Sequence, residues 1–347
     1  MDNIIELHNY IKRFDYENIN FYSDSSLDLF SIVAVHSTKN GPAIGGCRCI
    51  EYDDINAALE DALKLSKAMS YKSSIHNLPH GGAKAVILKP KKINNRKDFF
   101  KKYASFVNDL NGKYITSVDS GTSISDMTIV KSITPHVLGM VRDEHRFTDD
   151  PSIPTARGVM QAIKAAVSQK LNKPIDNCHI AIQGAGNVGS ELCRLLVNLG
   201  AKVSIADADD SKALEVAKKN GATAINCNDI LQIECDLLSP CALGGVITKE
   251  LIPNLKCKII CGAANNQLAD DSLSQILHDN DILFIPDYLA NGGGLIFVAS
   301  NMAGLNDTDM LSRVDGIYDR VIDILKSCNS SDTPLSRCNY IAEQNLR

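Results

Sequence analysis

The sequence predicts an α/β chain of two domains, the second built on a doubly wound parallel sheet, and three observations predict it. At 347 residues the chain is long enough for two cores at about 150 residues per domain. Six β segments recur through residues 178–285, several of them separated by helical patterns. Between the first two lies Gly184-Ala185-Gly186-Asn187-Val188-Gly189, glycines spaced as in a strand-to-helix turn.

Composition narrows the class of protein. Apolar residues make up 44% and charged residues 22%, as in ordinary soluble domains. The formal charge of −5, without a strongly basic segment, argues against nucleic acid as a partner. No run approaches the ~18 apolar residues of a membrane span, and Met1 to Glu6 is not the start of a secretory signal. Eleven cysteines are scattered without a C-x-x-C pair and read as buried, reduced thiols; no metal site is expected. Together these features predict a soluble cytoplasmic protein.

In the first half, Leu29 to Val35 is an apolar run suited to a buried strand. Gly41 to Arg48, with Gly45 and Gly46 paired, is expected to be a loop. Ile55, Leu59, Ala62, Leu65 and Met69 recur at helical spacing behind Asp53 or Asp54 as N-cap, so a helix should end near Tyr71 with Lys72 at its carboxyl end. Residues 73–83 are expected to be a loop, and Ala85 to Leu88 a short strand with Lys84 at its entrance. A helix through Phe99, Tyr103, Phe106 and Leu110 should stop at Asn111-Gly112, and Tyr114 to Val118 should be a strand ending at Asp119. Lys84 and Asp119 therefore stand at strand ends beside glycines, where ligand-binding loops gather. Two ammonium groups and a carboxylate suit a small anionic substrate. Lysines are also ordinary solvated groups, and residue types alone leave both readings open.

In the second half, Cys178 to Gln183 is a strand, the glycine turn follows, and Leu192, Leu195, Leu196 and Leu199 continue as a helix. Lys202 to Ala206 is the next strand, and it ends in Asp207. In that context the turn is a dinucleotide fingerprint. Gly184 and Gly186 allow the close approach of a pyrophosphate to the helix start, where Asn187 and Val188 lie, and Gly189 lets helix and strand pack. Asp207 can accept hydrogen bonds from ribose hydroxyls and repel a 2′-phosphate, which predicts NAD rather than NADP; the other reading is that Asp207 caps the next helix. Further strands are expected at Ala222–Ile225, Cys235–Leu238, Lys258–Cys261 and Ile282–Ile285. The segments after them, Ser239 to Gly245 and Gly262 to Asn266, should line the crevice at the carboxyl ends of the sheet. A long helical pattern runs from Asp307 to Leu325, and the tail, 326–347, is expected to return to the first domain.

These motifs resemble the amino-acid dehydrogenases of the Glu/Leu/Phe/Val group, and most of all its leucine-specific members. The resemblance is carried by Gly41-Pro42-Ala43-Ile44-Gly45-Gly46-Cys47-Arg48, Tyr71-Lys72, Gly81-Gly82-Ala83-Lys84, Asp119-Ser120-Gly121-Thr122, Gly186-Asn187-Val188, Ser239 to Gly245 and Ala264 to Leu268. It implies a substrate-binding and oligomerisation domain over 1–145 with 326–347, a Rossmann NAD-binding domain over 146–325, an active site in the cleft between them, and a homo-oligomer. It also implies the reaction: oxidative deamination of an L-amino acid to its 2-oxo acid and ammonia. In that scheme Lys72 binds the substrate carboxylate, Lys84 activates the attacking water and Asp119 moves protons at the amine. Gly45, Gly46 and Asn266 join Lys72 around the substrate. Thr155, Cys241, Ala242 and Asn265 join the fingerprint around the cofactor.

Ile44, Ser117, Leu295 and Val298 are implied to form a mostly apolar side-chain pocket. Glutamate-specific members of the group carry lysine and serine where Ile44 and Val298 stand, so a second carboxylate would be buried unpaired here, at a cost of roughly several kcal/mol. The expected substrates are leucine, valine and isoleucine. Phe297, which stands where the leucine enzymes have asparagine, leaves phenylalanine or tryptophan as the alternative. A non-catalytic NAD-binding paralogue is the competing class, disfavoured by the joint presence of Lys72, Lys84 and Asp119.

Overall fold

The computed structural model describes residues 4–138 and 150–346. Contacts divide the chain into two units, Met1–His145 with Ala342–Arg347, and Arg146–Ile341. The expected junction at 145/146 lies outside the described residues. The tail differs from expectation: of 326–347, only Ala342–Arg347 groups with the first unit.

The first unit is a mixed five-stranded sheet with helices on both faces. In chain order it comprises α1 (Ile4–Phe14), β1 (Asn18–Asp24), β2 (Leu29–Ser37), β3 (Ala43–Ile50), α2 (Ile55–Ile75), β4 (Gly81–Leu88), α3 (Arg96–Asp109), β5 (Tyr114–Val118) and α4 (Ile124–Lys131). The strand order is β1-β2-β4-β3-β5. The β1–β2 and β2–β4 pairs are antiparallel, whereas β3 runs parallel to both β4 and β5. Helix α2 starts at Asp54, whose carboxylate accepts the Ala57 N–H at 2.8 Å. It buries Ala58, Leu59, Ala62 and Leu63 against Ile32, Ala34 and Val86 on one face of the sheet. Phe99, Phe100 and Tyr103 fill the other face with Val33, Cys47 and Ala85. Each aromatic is fully buried, worth on the order of 2 kcal/mol.

Two expectations fail here for one reason. Gly41 to Arg48 is not a loop, because β3 begins at Ala43, and Lys84 lies inside β4 rather than at its entrance. The glycines mark close approach instead of a turn. A Cβ on Gly45 would overlap the Ala83 carbonyl, and one on Gly82 would overlap the Ser70 backbone of α2.

The second unit contains α5 (Ser152–Lys170), β6 (His179–Gln183), α6 (Asn187–Asn198), β7 (Lys202–Ala206), α7 (Asp210–Asn220), β8 (Thr223–Ala224), β9 (Leu237–Pro240), β10 (Ile259–Ile260), α8 (Leu273–Asp279), β11 (Leu283–Phe284), α9 (Asp287–Ala290), α10 (Gly293–Met302), α11 (Asp307–Asp315), α12 (Ile317–Ser327) and the start of α13 (Pro334–Asn345), whose residues from Ala342 onward group with the first unit. All six strands pair in parallel in the order β11-β10-β9-β6-β7-β8. This is the doubly wound order, with its switch point between β6 and β9. The single helix expected over Asp307 to Leu325 is broken at Gly316 into α11 and α12. Conversely, α10 begins on glycines because it crowds α5: a Cβ on Gly293 would overlap the Pro154 carbonyl. All the cysteines are free, and only Cys227, Cys241 and Cys328 are partly exposed.

Candidate active site

In the first unit, strand alternation turns Ile44, Gly46 and Arg48 of β3 toward the same side as Gly82 and Lys84 of β4 and Ser117 of β5. That side is covered by α2, whose last turn carries the half-buried Lys72. Gly45 belongs to the opposite alternation, and its carbonyl accepts the buried Tyr114 hydroxyl at 2.8 Å. Ile44 is almost fully buried and Ser117 half-buried.

Lys84, a residue 5% exposed, pairs through its ammonium with Oδ2 of Asp119. Gly46 makes room for that carboxylate, since a Cβ there would stand 2.8 Å from both Cβ and Oδ2 of Asp119. Oδ1 of Asp119 accepts the Ser120 N–H at 2.5 Å and lies 3.5 Å from Arg48 Nε. Burial pushes the Asp119 carboxyl upward, but the Lys84 charge and hydrogen bond, followed by Arg48 and the Ser120 N–H, outweigh it and hold the group at about 2.

The turn that presents Asp119 is itself fixed. The Asp119 N–H donates to Thr122 Oγ1 at 2.9 Å. Gly121 has φ +79°, and a side chain there would strike the Cys49 carbonyl.

Behind this pair stands a chain that sequence reasoning missed. Arg48 Nη1 donates to both oxygens of Asp61 on α2, at 3.1 and 2.8 Å, and Tyr52 donates its hydroxyl proton to Asp61 at 2.6 Å. Arg48 was visible only as the end of a glycine motif. Once 43–50 is a strand, its parity with Ile44 and Gly46 places it beside Asp119. Nothing in the sequence pairs it with Asp61.

In the second unit, the fingerprint residues gather at the carboxyl end of β6. Gly184 has φ +112° and packs against Ala242, while Gly189 packs on the Gly184 carbonyl so closely that a Cβ would overlap it. Gly186 is the N-cap of α6, has no side-chain cap, and opens onto free space. The first N–H groups of α6 at Asn187 and Val188 thus suit a pyrophosphate, and the residues present fit a dinucleotide. Asp207 does not cap α7. Asp209 does, accepting the Ser211 N–H at 3.0 Å. The Asp207 carboxylate instead accepts the Ala185 N–H of the glycine turn at 2.7 Å and the Asp209 N–H at 3.0 Å.

The remaining predicted residues lie beyond neighbouring strand ends. Cys241 follows β9, its N–H bonded to the Gln183 carbonyl at 2.7 Å, and Ala242 is exposed. Asn265 and Asn266 are exposed after β10. Asn291 donates to Asn265 Oδ1 at 2.9 Å, and Asp287 accepts the Asn266 N–H at 2.6 Å; neither partner was foreseen. Thr155 is bonded to the Pro151 carbonyl at 2.7 Å in the first turn of α5, and a Cβ on Gly294 would stand 2.6 Å from its Oγ1. Leu295 is buried on α10 and Val298 half-buried. No group of side chains able to hold a metal ion occurs among the described residues, and no helix among them is long and apolar enough to cross a membrane.

Comparison with known proteins agrees with this architecture. Residues 22–136 match the family model described as the Glu/Leu/Phe/Val dehydrogenase dimerisation domain, and residues 150–214 and 205–343 match the glutamate/leucine/phenylalanine/valine dehydrogenase model. The chain is 38% identical over 323 residues to a leucine dehydrogenase of Bacillus cereus, covering 93% of this chain and 88% of that protein. It is 39% identical over 316 residues to an L-tryptophan dehydrogenase of Nostoc punctiforme, covering 90% and 88%. A crystal structure of L-tryptophan dehydrogenase from Nostoc punctiforme superposes with a TM-score of 0.84 at 35% identity, covering 98% of each chain. The chain belongs to the glutamate/leucine/phenylalanine/valine dehydrogenase family and is an amino-acid dehydrogenase, an oxidoreductase acting on CH–NH2 donors.

Proposed function

We propose that the enzyme catalyses the NAD-dependent, reversible oxidative deamination of a branched-chain L-amino acid, leucine with valine and isoleucine, to the 2-oxo acid and ammonia. The observation that carries this reading is the Lys84–Asp119 pair on the α2 side of the sheet, beside the buried apolar Ile44. Lys72, in the last turn of α2, binds the substrate carboxylate. Lys84 activates the attacking water, and Asp119 passes protons to and from the amine, both within general acid–base chemistry. NAD, when bound, accepts the hydride from the α-carbon. Within the first unit, Ile44 and Ser117 are the residues that meet the side chain of the substrate; within the second, Leu295 and Val298 are the corresponding apolar candidates. A second, side-chain carboxylate desolvated beside Ile44 would lack a partner cation, which disfavours glutamate.

The preference for NAD rests on charge. Asp207 is followed by Asp209 and Asp210, with no basic residue before Lys212, so a 2′-phosphate would meet carboxylates. Phe297, buried on α10, favours a second reading in which the substrate is aromatic.

Following NADH absorbance with a panel of L-amino acids tests the reading. Leucine, valine and isoleucine should exceed glutamate by about 100-fold or more in kcat/KM, with NAD preferred to NADP by about tenfold or more. Faster turnover of phenylalanine or tryptophan than of leucine would select the aromatic reading. Preference for NADP would refute the role given to Asp207.

A further inference from the structure

Among the described residues, Asp119 pairs with two cations, Lys84 and Arg48, and they differ in kind. Lys84 holds Oδ2 directly. Arg48 faces Oδ1 through Nε at 3.5 Å, and that Nε is buried without a hydrogen-bond partner. A buried guanidinium N–H left unmade is costly unless some state of the protein makes the bond. The rest of the guanidinium cannot drift toward Asp119, because Nη1 is held by both oxygens of Asp61, which Tyr52 holds in turn. Gly46 confines the carboxylate from the remaining side.

We infer that Arg48 is a positioning residue for the reaction: anchored by Asp61 and Tyr52, it steadies Asp119 and closes on Oδ1 while Lys84 is engaged with water and substrate. The inference rests on the proposed role of Asp119 in proton transfer. While Lys84 is engaged with water and substrate, Asp119 loses that partner in a largely enclosed place. Arginine keeps its proton throughout, so the Arg48 charge beside Asp119 does not vary during turnover. Its planar fork can hold Asp61 and still present Nε–H to Asp119, a division of labour that the point charge of lysine does not allow. The arrangement also explains an arginine two residues beyond Gly46 on the same face of β3.

A double-mutant cycle on the full-length enzyme tests this, with L-leucine or the fastest substrate of the panel and NAD. Arg48→Lys should lower kcat about 10- to 100-fold while both KM values stay within about threefold. Asp119→Asn should lower kcat as well, and the double variant should be no slower than Asp119→Asn alone. The far-ultraviolet circular dichroism spectrum and the urea midpoint of each variant report its folding independently of turnover. Should Arg48→Lys fail to fold, Asp61→Asn replaces it, with the same expected disappearance of its effect in the Asp119→Asn background. Losses that multiply in the double variant, or an Arg48→Lys enzyme with the parent kcat, overturn the inference alone. An Asp119→Asn enzyme with the parent kcat overturns the proposed role of Asp119, and this inference with it.

Discussion

Asp119 shows how a single side chain can be tied to both stability and chemistry. Its carboxyl is held at about 2 against an ordinary value of 3.8 by neighbours that outweigh its burial. A depressed carboxylate contributes stability that is fully present above its unfolded value near 4 and is lost as pH falls toward 2, on the order of 2 kcal/mol in all. The urea midpoint of the parent should therefore exceed that of Asp119→Asn at pH 6, and the gap should narrow steadily between pH 4 and 2. A gap independent of pH would show that the Lys84–Asp119 pair contributes nothing through its charge.

The glycine-bearing elements divide the work differently. In β3, Gly46 leaves space for the Asp119 side chain, whereas in α6, Gly189 lets the helix settle on the backbone of the cofactor turn. Two substitutions should accordingly separate by their kinetics. Gly46→Ala should lower kcat by about 100-fold or more with NAD affinity retained, since it crowds the Asp119 side chain and the Val118 carbonyl within the first unit. Gly189→Ala should weaken NAD binding by about tenfold or more, since it pushes α6 away from Gly184. Equal effects of both on NAD affinity would contradict this assignment, and equilibrium NAD binding with steady-state kinetics reads both.

For the molecule as a whole, the first unit matches a dimerisation domain, and its sheet ends in β1, an edge strand with the exposed Phe21. Exposed edges invite pairing. Light scattering should give a mass that is a multiple of the 37.7 kDa chain. Phe21→Lys, which places a charge on that edge, should shift the population toward smaller species. A monomer at all concentrations would remove oligomerisation from the account.

Much of this protein can be read without coordinates. The parallel order of the second sheet follows from apolar runs alternating with helical patterns. The cofactor turn follows from glycines placed between a strand and a helix, because such requirements are local and written in consecutive residues. The positions of Lys72, Lys84 and Asp119 in glycine-framed motifs were equally legible. Tertiary structure alone decided that Gly45 and Gly46 lie within a strand, that Lys84 is interior to β4, and that Arg48, Asp61 and Tyr52 stand behind Asp119. A glycine that permits a turn and one that permits two backbones to touch look alike in sequence. Ion pairs between a strand and a distant helix depend on register and packing, which no stretch of chain specifies by itself.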